Sequence, residues 1–417
     1  MKNKMFFIIL SSIVLGIGCG IFFPEQMLSI GWIGTLFINL LKLIVLPLIF
    51  CALVSAITSM GDIKRLGSVG FYTIGYVLLS VSFAVIIGLV LLNVFKPGTG
   101  IPSSFILANA APHELKPVEF SSFLLMLFPP NIIEAAAKFE IMPIVFFSIV
   151  FAIACLSVGE TAKPVIAFFN GLRNVFVKMI IWLMYLTPIG LFSLLGSAIA
   201  EAALQNRLID SIKGMCYFIV IFLFGLFLQI LWQLAIVKFV IRKNPKEFIS
   251  SASNAMITAF ATSSSMATLP VTLMVAKNQN IDDDVARFVL PLATTINLAG
   301  TAMYEAVSAL FFCQILGMHL SIFSQIGVFL VAILAGMGAT GIPEGGLVTM
   351  IMVLRCVSVP TSAIALLLPF DRILDRFRTM TNVWGDLVCA TTVDHFTKKN
   401  KKVEMEKLPE ALEGYAK

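Results

Sequence analysis

Long runs of apolar residues without any charged side chain alternate along this chain with short polar segments. Six such runs fall at residues 5–24, 43–61, 66–95, 141–159, 179–200 and 214–237. Most of them are near or above the ~20 residues that a helix needs to cross the hydrocarbon core of a bilayer. The runs are continuous rather than alternating, which favours helices over strands. The pattern predicts an all-α polytopic membrane protein.

The pattern changes character after about residue 248. Residues 248–276 carry no charge but are polar at their centre, TAFATSSSMATLP, and residues 329–354 repeat this around AGMGATGIPEGGLVT. Unwound backbone at membrane depth is tolerated only where protein buries it or water lines it. Paired interrupted segments of this kind are typical of transporter binding sites. We therefore predict two re-entrant helical hairpins, each followed by a helix with polar positions. The alternative is two kinked helices that pack through small residues.

The helix after the second hairpin, DRILDRFRTMTNVWGD (371–386), has a high density of ionisable groups between apolar segments. At about 100° of rotation per residue, its polar side chains fall within roughly 60° of Asp375. These side chains are Asp371, Arg372, Arg378, Thr379, Asn382 and Asp386. Ionisable side chains at the centre of a bilayer cost at least ~2.5 kcal/mol each unless they face a cavity or one another. This polar edge is therefore predicted to line a binding site.

The chemistry of the polar edge suits a small zwitterion with one additional acidic group. Arg378 offers a planar fork of donors to a carboxylate, and Asp375, almost one turn earlier, can take an ammonium group. Backbone N–H groups at the hairpin tips would hold a second carboxylate. Asp386, close to Asn297 of the preceding polar helix, suits a bare cation held by oxygen atoms. Alternatively, Asp375 and Arg378 pair with each other as a buried salt bridge.

Composition and charge agree with membrane insertion. Of the 417 residues, 59% are hydrophobic and 12% are charged, and the mean hydropathy is +0.98. Soluble domains carry about 25% charged residues. The net charge of +6 lies mostly in loops and tail, so it indicates topology and not nucleic-acid binding. Basic clusters alternate with less basic connections, which predicts that both termini are cytoplasmic. The seven cysteines are scattered through apolar segments, as expected of small buried hydrophobes.

Four motifs in a fixed order give this chain a resemblance to the dicarboxylate/amino acid:cation symporter family, the glutamate transporters. The motifs are SSSMATLP (263–270), TINLAGTAMYEA (295–306), GATGIPEGGLVT (338–349) and DRFRTMTNVWGD (375–386), with FPPNIIEAA (128–136) in support. The resemblance covers essentially the whole chain. It implies eight transmembrane helices, two re-entrant hairpins arranged as inverted repeats, and a homotrimer in the cell (inner) membrane, surrounded by lipid.

The resemblance also implies an elevator, in which one part of the chain moves against another. Residues 1–65 and 97–212 would form a scaffold. Residues 66–96 and 213–397 would form the moving transport domain, and residues 398–417 a cytoplasmic tail.

Carried over position by position, the resemblance implies a site for glutamate or aspartate. Arg378 would bind the side-chain carboxylate of the substrate and Asp375 its amino group. Neutral amino acid carriers of this family typically lack the arginine. The other implied contacts are Thr301, Thr379 and Asn382 with the substrate, and Ser264, Ser265 and Gly341 at the hairpin tips that cup the α-carboxylate.

Two sodium sites are implied by the residues that match the family. In the first, Asp386 acts together with backbone carbonyls near Ala293, Asn297 and Asn382. The second uses Thr295 and mostly backbone oxygens of the second hairpin.

A third sodium site of the family is expected to be missing. Its aspartate belongs to the motif NMDGT, but this chain reads NLAGT and has Ala299 in that place. The matching positions of the third helix are Val77, Ser80 and Val81, of which only the serine offers a side-chain oxygen. A hard cation needs several oxygen ligands, with charge to offset its dehydration. We therefore predict that this ion is not bound.

Coupling is then expected to use fewer sodium ions, with protons making up the difference. Glu305, after Tyr304 in AMYEA, is the candidate proton carrier, unless it is a structural carboxylate bonded to its neighbours. The triple serine together with Arg376 resembles the animal branch, where proton cotransport and potassium counter-transport occur. Arg376 alternatively meets carbonyl groups of the first hairpin.

The expected function is thus symport of acidic amino acids rather than an enzymatic reaction. A neutral amino acid, cystine or dicarboxylate carrier of the same family is an alternative. A channel is another, since members of this family can leak anions. An intramembrane aspartyl protease using Asp371, Asp375 or Asp386 is disfavoured, because three carboxylates on one face beside an arginine favour binding over a shared-proton pair.

Overall fold

The computed structural model describes residues 2–61, 68–101, 128–138, 141–204, 208–339 and 345–413, and these residues form α-helices without any strand. Helices α1 to α8 are Lys2–Phe22, Pro24–Ser29, Gly31–Gly61, Ser68–Phe95, Ile132–Ala137, Ile141–Val158, Lys163–Leu183 and Thr187–Leu204. Helices α9 to α16 are Leu208–Ala235, Pro245–Thr262, Ser265–Asn278, Asp283–Ile296, Ala299–Ile315, Ile322–Gly338, Gly345–Cys356 and Ile364–Glu413. The predicted all-α class is confirmed for this part of the chain.

Several of these helical stretches are long and apolar enough to cross a bilayer. Within the described ranges they are Ser68–Phe95, Phe146–Met179, Lys213–Val240 and Asp283–Ile315. The pair Ser11–Phe22 and Pro24–Phe37, bent by 120°, would add a fifth span. The chain is therefore a multi-pass helical membrane protein, as the apolar runs predict. The number of eight crossings stays a prediction.

Some apolar runs are divided by breaks in the helical backbone. The run at residues 179–200 is interrupted by the 3-10 turn Met184–Leu186, after which α8 begins with Pro188 in its first turn. Proline fits there because the first N–H groups of a helix have no intrahelical acceptor. The described residues 128–138, before the apolar run 141–159, contain the short helix α5, whose N-cap Asn131 accepts the Ile133 N–H at 2.9 Å. Apolarity alone does not show where such a run bends.

The helices pack in two sets. In the first set, α1 lies along α8, and α3 packs against α6, α7 and α8. The approach of α1 to α8 requires glycine, since a Cβ on Gly20 would lie 2.6 Å from the carbonyl oxygen of Gly196. In the second set, α13 and α16 pack on each other and on α4, and α9 to α12, α14 and α15 pack around them.

Two helix pairs of the second set fold back on themselves. Helix α10 ends at Thr262 and α11 begins at Ser265, and α10 packs against α11. Between them Ser263 has φ of 51°, a left-handed conformation that reverses the chain. Helices α14 and α15 also pack on each other. Their connection, which contains Gly341, lies outside the described residues.

The polar helix after the first pair is broken, whereas the one after the second pair is continuous. Helix α12 ends at Ile296 and α13 begins at Ala299, because Asn297 and Leu298 leave the helical conformation. Helix α16 runs for 50 residues from Ile364 to Glu413, so it carries both the polar edge and most of the predicted tail. The break between α12 and α13 exposes backbone groups inside the protein.

The most deeply buried part of the molecule surrounds α13 and α16. Every residue of α13 except Gln314 is buried, and residues 381–394 of α16 are buried on all sides. A helix covered all round by protein belongs to a core. The predicted polar edge of α16 therefore begins at the surface of this core and runs into it.

Candidate functional site

The polar edge of α16 lies in the protein interior. Six of the seven side chains predicted to share this edge are buried, and Arg372 is half-buried. Arg378 is 0% exposed. The opposite face is also buried at Leu374, Trp384 and Leu387, although Ile373 is exposed, so protein surrounds α16 only from residue 381 onward. Polar groups in such a place need partners from the protein or from a ligand.

Arg378 lies between two carboxylates and an aromatic ring. Its Nη2 atom is 2.9 Å from Asp371 Oδ1 and 2.9 Å from Asp375 Oδ1. Its Cζ atom is 4.1 Å from the centre of the Tyr304 ring, a position in which the ring quadrupole stabilises a guanidinium. The internal pair of Asp375 and Arg378, which was the alternative from the sequence, is present in this structure and is shared by Asp371.

Part of the guanidinium remains available. The Nε and Nη1 atoms of Arg378 have no hydrogen-bond partner among the described residues, although an unsatisfied buried donor of a charged group is costly. The start of α15 borders this part, since a Cβ on Gly346 would lie 3.2 Å from Arg378 Nη1 and 2.9 Å from Thr301 Cγ2. A carboxylate bound here would give Arg378 Nη1 a hydrogen-bond acceptor.

Asp371 and Tyr304 contact Arg378. The sequence prediction placed Asp371 on the polar edge without pairing it with Arg378, and it did not include Tyr304. Asp371 precedes Asp375 by four residues, a spacing that places two side chains on the same helix face. That spacing is the signal that indicates Asp371. Tyr304 comes from α13 and reaches Arg378 only through the packing of two helices, so no local pattern indicates it.

Asn382 joins α16 to the first turn of α13. Its Oδ1 accepts the Gly300 N–H at 2.8 Å, and its Nδ2 donates to Thr301 Oγ1 at 3.2 Å. The first N–H groups of α13 have no intrahelical acceptor, so the amide of Asn382 satisfies one of them. The structure thus brings together Thr301 and Asn382, two of the predicted substrate contacts. Thr379, a third, is buried next to Arg378 on α16.

The turn between α10 and α11 is built from hydroxyl side chains. Ser264 is the N-cap of α11, and its Oγ accepts the Ala267 N–H at 3.2 Å. Ser264 and Ser265 are both buried. Arg376 Nη1 donates to the Phe260 carbonyl at 3.2 Å, which holds α10 against α16. Arg376 therefore meets a hairpin carbonyl, and the helix that starts at the buried turn presents N–H groups suited to an anion.

Asp386 and Asn297 form a second polar pair. Asn297 Nδ2 donates to Asp386 Oδ1 at 3.1 Å. The other two oxygens, Asp386 Oδ2 and Asn297 Oδ1, have no partner among the residues described here, although both side chains are 0% exposed. Buried oxygens without donors, one of them from a carboxylate, suit a cation.

The end of α12 adds backbone oxygens beside this pair. The Ala293 carbonyl accepts the Asn297 N–H at 2.8 Å, and Thr295 Oγ1 donates to the Leu292 carbonyl at 2.7 Å. The last carbonyls of a helix lack intrahelical donors. Across the described ranges, no group of three or more His, Cys, Asp or Glu side chains could hold a metal. A cation here would therefore depend on one carboxylate and on neutral oxygens.

The side chains at the expected place of the missing third sodium site are mostly apolar and buried. Val77, Val81 and Ala299 are each 1% exposed. The remaining oxygen of this group, Ser80 Oγ, accepts hydrogen bonds from two glutamine side chains of α9. The sequence prediction did not include these glutamines, although two amides inside the apolar run 214–237 were a signal that could have found them.

Glu305 lies one turn after Thr301 on α13 and is 0% exposed. Thr349 Oγ1, on α15, donates to Glu305 Oε1. Glu305 Oε2 has no partner in the described part of the chain. The carboxyl group is thus bonded to the helix pair α14–α15 through one oxygen only, which agrees with the structural interpretation and leaves the other oxygen for a proton.

Known proteins resemble the chain over nearly its whole length. Residues 5–396 match the model of the sodium:dicarboxylate symporter family. The chain is 31% identical to an excitatory amino acid transporter of Caenorhabditis elegans, over 95% of this chain and 88% of that relative. It is 30% identical to a proton/sodium-glutamate symport protein of Geobacillus stearothermophilus, over 91% of each. It is 29% identical to a C4-dicarboxylate transport protein of Bacillus subtilis (strain 168), over 98% of this chain and 96% of that relative.

Proposed function

Because this chain belongs to the sodium:dicarboxylate symporter family, we propose that it takes up acidic amino acids, glutamate or aspartate, together with Na⁺, H⁺ or both. The protein is a transporter and not an enzyme. Its long apolar helices make it a multi-pass membrane protein. We place it in the cell membrane with both termini in the cytoplasm, in agreement with the alternation of its basic clusters.

The observation that carries the substrate assignment is the unused part of Arg378 next to Asp375. The side-chain carboxylate of the substrate would accept from Arg378 Nη1, which has no partner among the described residues. The ammonium group of the substrate would bind Asp375, which in this structure is paired with Arg378 at 2.9 Å. Binding therefore exchanges one internal ion pair for two pairs with the substrate. Asp371 keeps the guanidinium in place during this exchange.

The rest of the substrate would meet neutral groups. Thr301, Thr379 and Asn382 would offer it hydrogen bonds. The α-carboxylate would bind at the tips of the helix pairs, at Ser264, Ser265 and Gly341. This assignment is supported by the buried N-cap of α11 and by the preference of anions for helix N-termini.

A dicarboxylate without an amino group is the second candidate substrate. One relative is named a C4-dicarboxylate transport protein, so the family accommodates both classes. In this chain a dicarboxylate would leave Asp375 without a positive partner from the ligand. A neutral amino acid would leave Arg378 Nη1 unsatisfied. Both arguments favour a substrate that has two carboxylates and an ammonium group.

For ion coupling we propose fewer sodium ions than the complete set of the family, with protons contributing. Asp386 would hold one sodium with oxygens of Ala293, Asn297 and Asn382. Thr295 would contribute to a second. The apolar surroundings of Ala299 support the absence of a third. Glu305, whose Oε2 is not bonded, would carry the proton, and a relative named as a proton/sodium-glutamate symport protein supports both ions.

Transport would proceed by movement of the second helix set against the first. The scaffold would comprise residues 1–65 and 97–212, and the transport domain residues 66–96 and 213–397. Each set packs more extensively within itself than against the other set, which supports this division. We further propose that three copies of the scaffold form a homotrimer, as the family resemblance implies.

The test is uptake by the purified protein in liposomes. We expect radiolabelled glutamate and aspartate to accumulate above the external concentration when a sodium gradient or a proton gradient is imposed alone. Unlabelled aspartate should compete at lower concentration than succinate, alanine or cystine. Equilibration without accumulation would indicate a channel, and stronger competition by succinate would indicate a dicarboxylate carrier.

A further inference from the structure

Two glutamine side chains inside an apolar helix remain without a role in the proposed substrate and ion sites. Gln229 and Gln233 lie one turn apart on α9, and both are 0% exposed. Gln229 Nε2 donates to the Ser80 carbonyl at 3.2 Å and to Ser80 Oγ at 3.3 Å. Gln233 Nε2 donates to Ser80 Oγ at 3.2 Å. Two amide groups therefore converge on a single serine of α4.

The convergence point lies beside the start of α13. Helices α4 and α13 run in the same direction, because Gly88 lies against Met303, whereas the Leu92 carbonyl, farther along α4, accepts from Gln314 Nε2, farther along α13. Following both helices back toward their first residues brings Ser80 to the level of the break before α13. The serine is thus a neighbour of the apolar position where an acidic residue is missing.

Helix α9 approaches the same place from the opposite direction. Gly225 of α9 lies against Met303, and the ring of Phe218, earlier on α9, packs 4.4 Å from that of Phe311, later on α13. The two helices are therefore antiparallel. Gln229 follows Gly225 by one turn, which brings its amide to the start of α13.

The surroundings of Asp386 differ from those of Ser80. Gln233 Nε2 lies only 2.8 Å from the place where a Cβ on Gly385 would be, so the amides lie next to the Asp386 pair. Asp386 Oδ2 and Asn297 Oδ1 nevertheless have no donor among the described residues. The Asp386 pair keeps oxygens available to a cation, whereas protein donors already use the oxygens of Ser80.

We propose that Gln229 and Gln233 take the place of a bound cation at the junction of α4, α9 and α13, so that this junction closes without an ion. Ala299 brings no negative charge to the junction, and a cation held there by neutral oxygens alone would be poorly compensated in a buried setting. Amide N–H groups carry a partial positive charge, so they can satisfy the oxygens of Ser80 in place of a cation. Gln229 and Gln233 would thus be positioning residues that reduce the number of ions in the proposed transport cycle, and this consequence rests on the proposed function.

The carbonyl oxygens of the two amides are possible sodium ligands, and this alternative can be tested. The carbonyl oxygens Gln229 Oε1 and Gln233 Oε1 have no partner within the described ranges. If these oxygens were ion ligands, their removal would weaken sodium binding. If the amides replace the ion, their removal would weaken the junction and leave sodium binding intact.

The experiment follows the thermal unfolding of the purified full-length protein against sodium concentration, with choline keeping the ionic strength constant. Ions that bind only the folded state raise the unfolding temperature. The slope of the unfolding temperature against the logarithm of the sodium concentration therefore increases with each ion that is bound. For Gln229→Ala with Gln233→Ala we expect a lower unfolding temperature at every sodium concentration and an unchanged slope. A reduced slope would overturn the proposal, because the glutamines would then be ligands.

Introducing an aspartate at position 299, with and without the glutamine substitutions, gives a second test. Ala299→Asp alone should leave the slope unchanged, because the amides can donate to the new carboxylate. Ala299→Asp combined with both glutamine substitutions should increase the slope by the share of one ion. An equal increase in both proteins would overturn the proposal. If the combined variant does not fold, the slope of the double glutamine variant still decides the question.

Gln314→Ala is the matched control. Its side chain also bonds the α4 region, through the Leu92 carbonyl at 2.8 Å and the Gly98 N–H at 3.0 Å, but it lies away from Ser80. We expect a lower unfolding temperature and an unchanged slope. The assay uses no amino acid, so failure of the uptake experiment would contradict the proposed function without deciding this proposal.

Discussion

At the scale of single residues, the charge balance around Arg378 determines what this site can bind. One guanidinium is shared by Asp371 and Asp375, each at 2.9 Å from Nη2. Both internal pairs use Nη2, and Nη1 has no partner among the described residues, so Nη1 is left for a ligand. A substrate must therefore bring a carboxylate to Arg378 and a positive group to Asp375 to leave no buried charge unpaired.

Arg378→Ala is expected to weaken the uptake of acidic amino acids strongly. Losing one partner of a buried, hydrogen-bonded charge pair costs about 2–5 kcal/mol, which raises KM roughly 30-fold or more. The measurement is uptake of labelled aspartate against concentration. Arg287→Ala is the matched control, because Arg287 is 75% exposed and pairs with Asp283 on the surface. Unchanged aspartate uptake by Arg378→Ala would refute the substrate assignment.

Glu305→Gln is expected to abolish uptake driven by a proton gradient and to preserve uptake driven by sodium. Glutamine keeps an oxygen that can accept from Thr349, but it cannot carry a proton. The measurement compares uptake under each gradient alone. Glu247→Gln, at an exposed position in the first turn of α10, is the control. If Glu305→Gln still responds to the proton gradient, Glu305 is a structural carboxylate.

Residues on one helix were easier to predict than contacts between helices. Asp375, Arg378 and Asn382 follow from the period of a single helix, and the structure buries all three on α16. Tyr304 and Thr349 reach the site from other helices. Their contacts depend on how the helices pack, which no local sequence pattern encodes.

At the scale of elements, the turn between α10 and α11 combines a strained residue with a helix cap. Ser263 has φ of 51°, and Ser264 caps α11 through the Ala267 N–H. The left-handed residue allows the reversal within two residues, and the cap directs the first N–H groups of α11. The polar centre TAFATSSSMATLP therefore has a structural reason as well as the proposed binding role.

Ser264→Ala is expected to lower stability by about 1 kcal/mol through the lost cap and also to raise the KM for aspartate. Ser321→Ala is the matched control, because Ser321 caps α14 in the same way through the Ser324 N–H at 3.2 Å. The control should lower stability by a similar amount and leave KM unchanged. The measurements are thermal unfolding and uptake kinetics. Equal KM values for both variants would show that the turn of α10 and α11 has only a structural role.

At the scale of the whole molecule, the proposed elevator requires the two helix sets to slide past each other. Helix α3 of the first set touches α14 of the second, where a Cβ on Gly338 would lie 3.4 Å from Leu53 Cδ2. Within the first set, a Cβ on Gly31 would lie 3.5 Å from Ser197 Cβ. These two places allow a cross-link between sets to be compared with one inside a set.

A cross-link between Leu53→Cys and Gly338→Cys is expected to stop uptake, because it ties the two sets together. A cross-link between Gly31→Cys and Ser197→Cys should leave uptake unchanged. Both pairs are made in a background whose seven native cysteines are replaced, and are closed with a short bifunctional thiol reagent that a reductant cleaves. Reduction should restore uptake in the first pair. Normal uptake with the sets cross-linked would contradict the moving-domain proposal.

The sequence by itself determined the helical membrane class, the polar edge of α16 and the positions of the two interrupted segments. These features follow from hydrophobic periodicity and from local backbone chemistry, which residues close in the chain express together. Only the tertiary structure decided that Asp371 pairs with Arg378 alongside Asp375, and that the Tyr304 ring lies over the Arg378 guanidinium. It also decided that two glutamine side chains donate hydrogen bonds to Ser80. These contacts join helices that are far apart in the chain, and their energy depends on packing that a one-dimensional pattern does not contain.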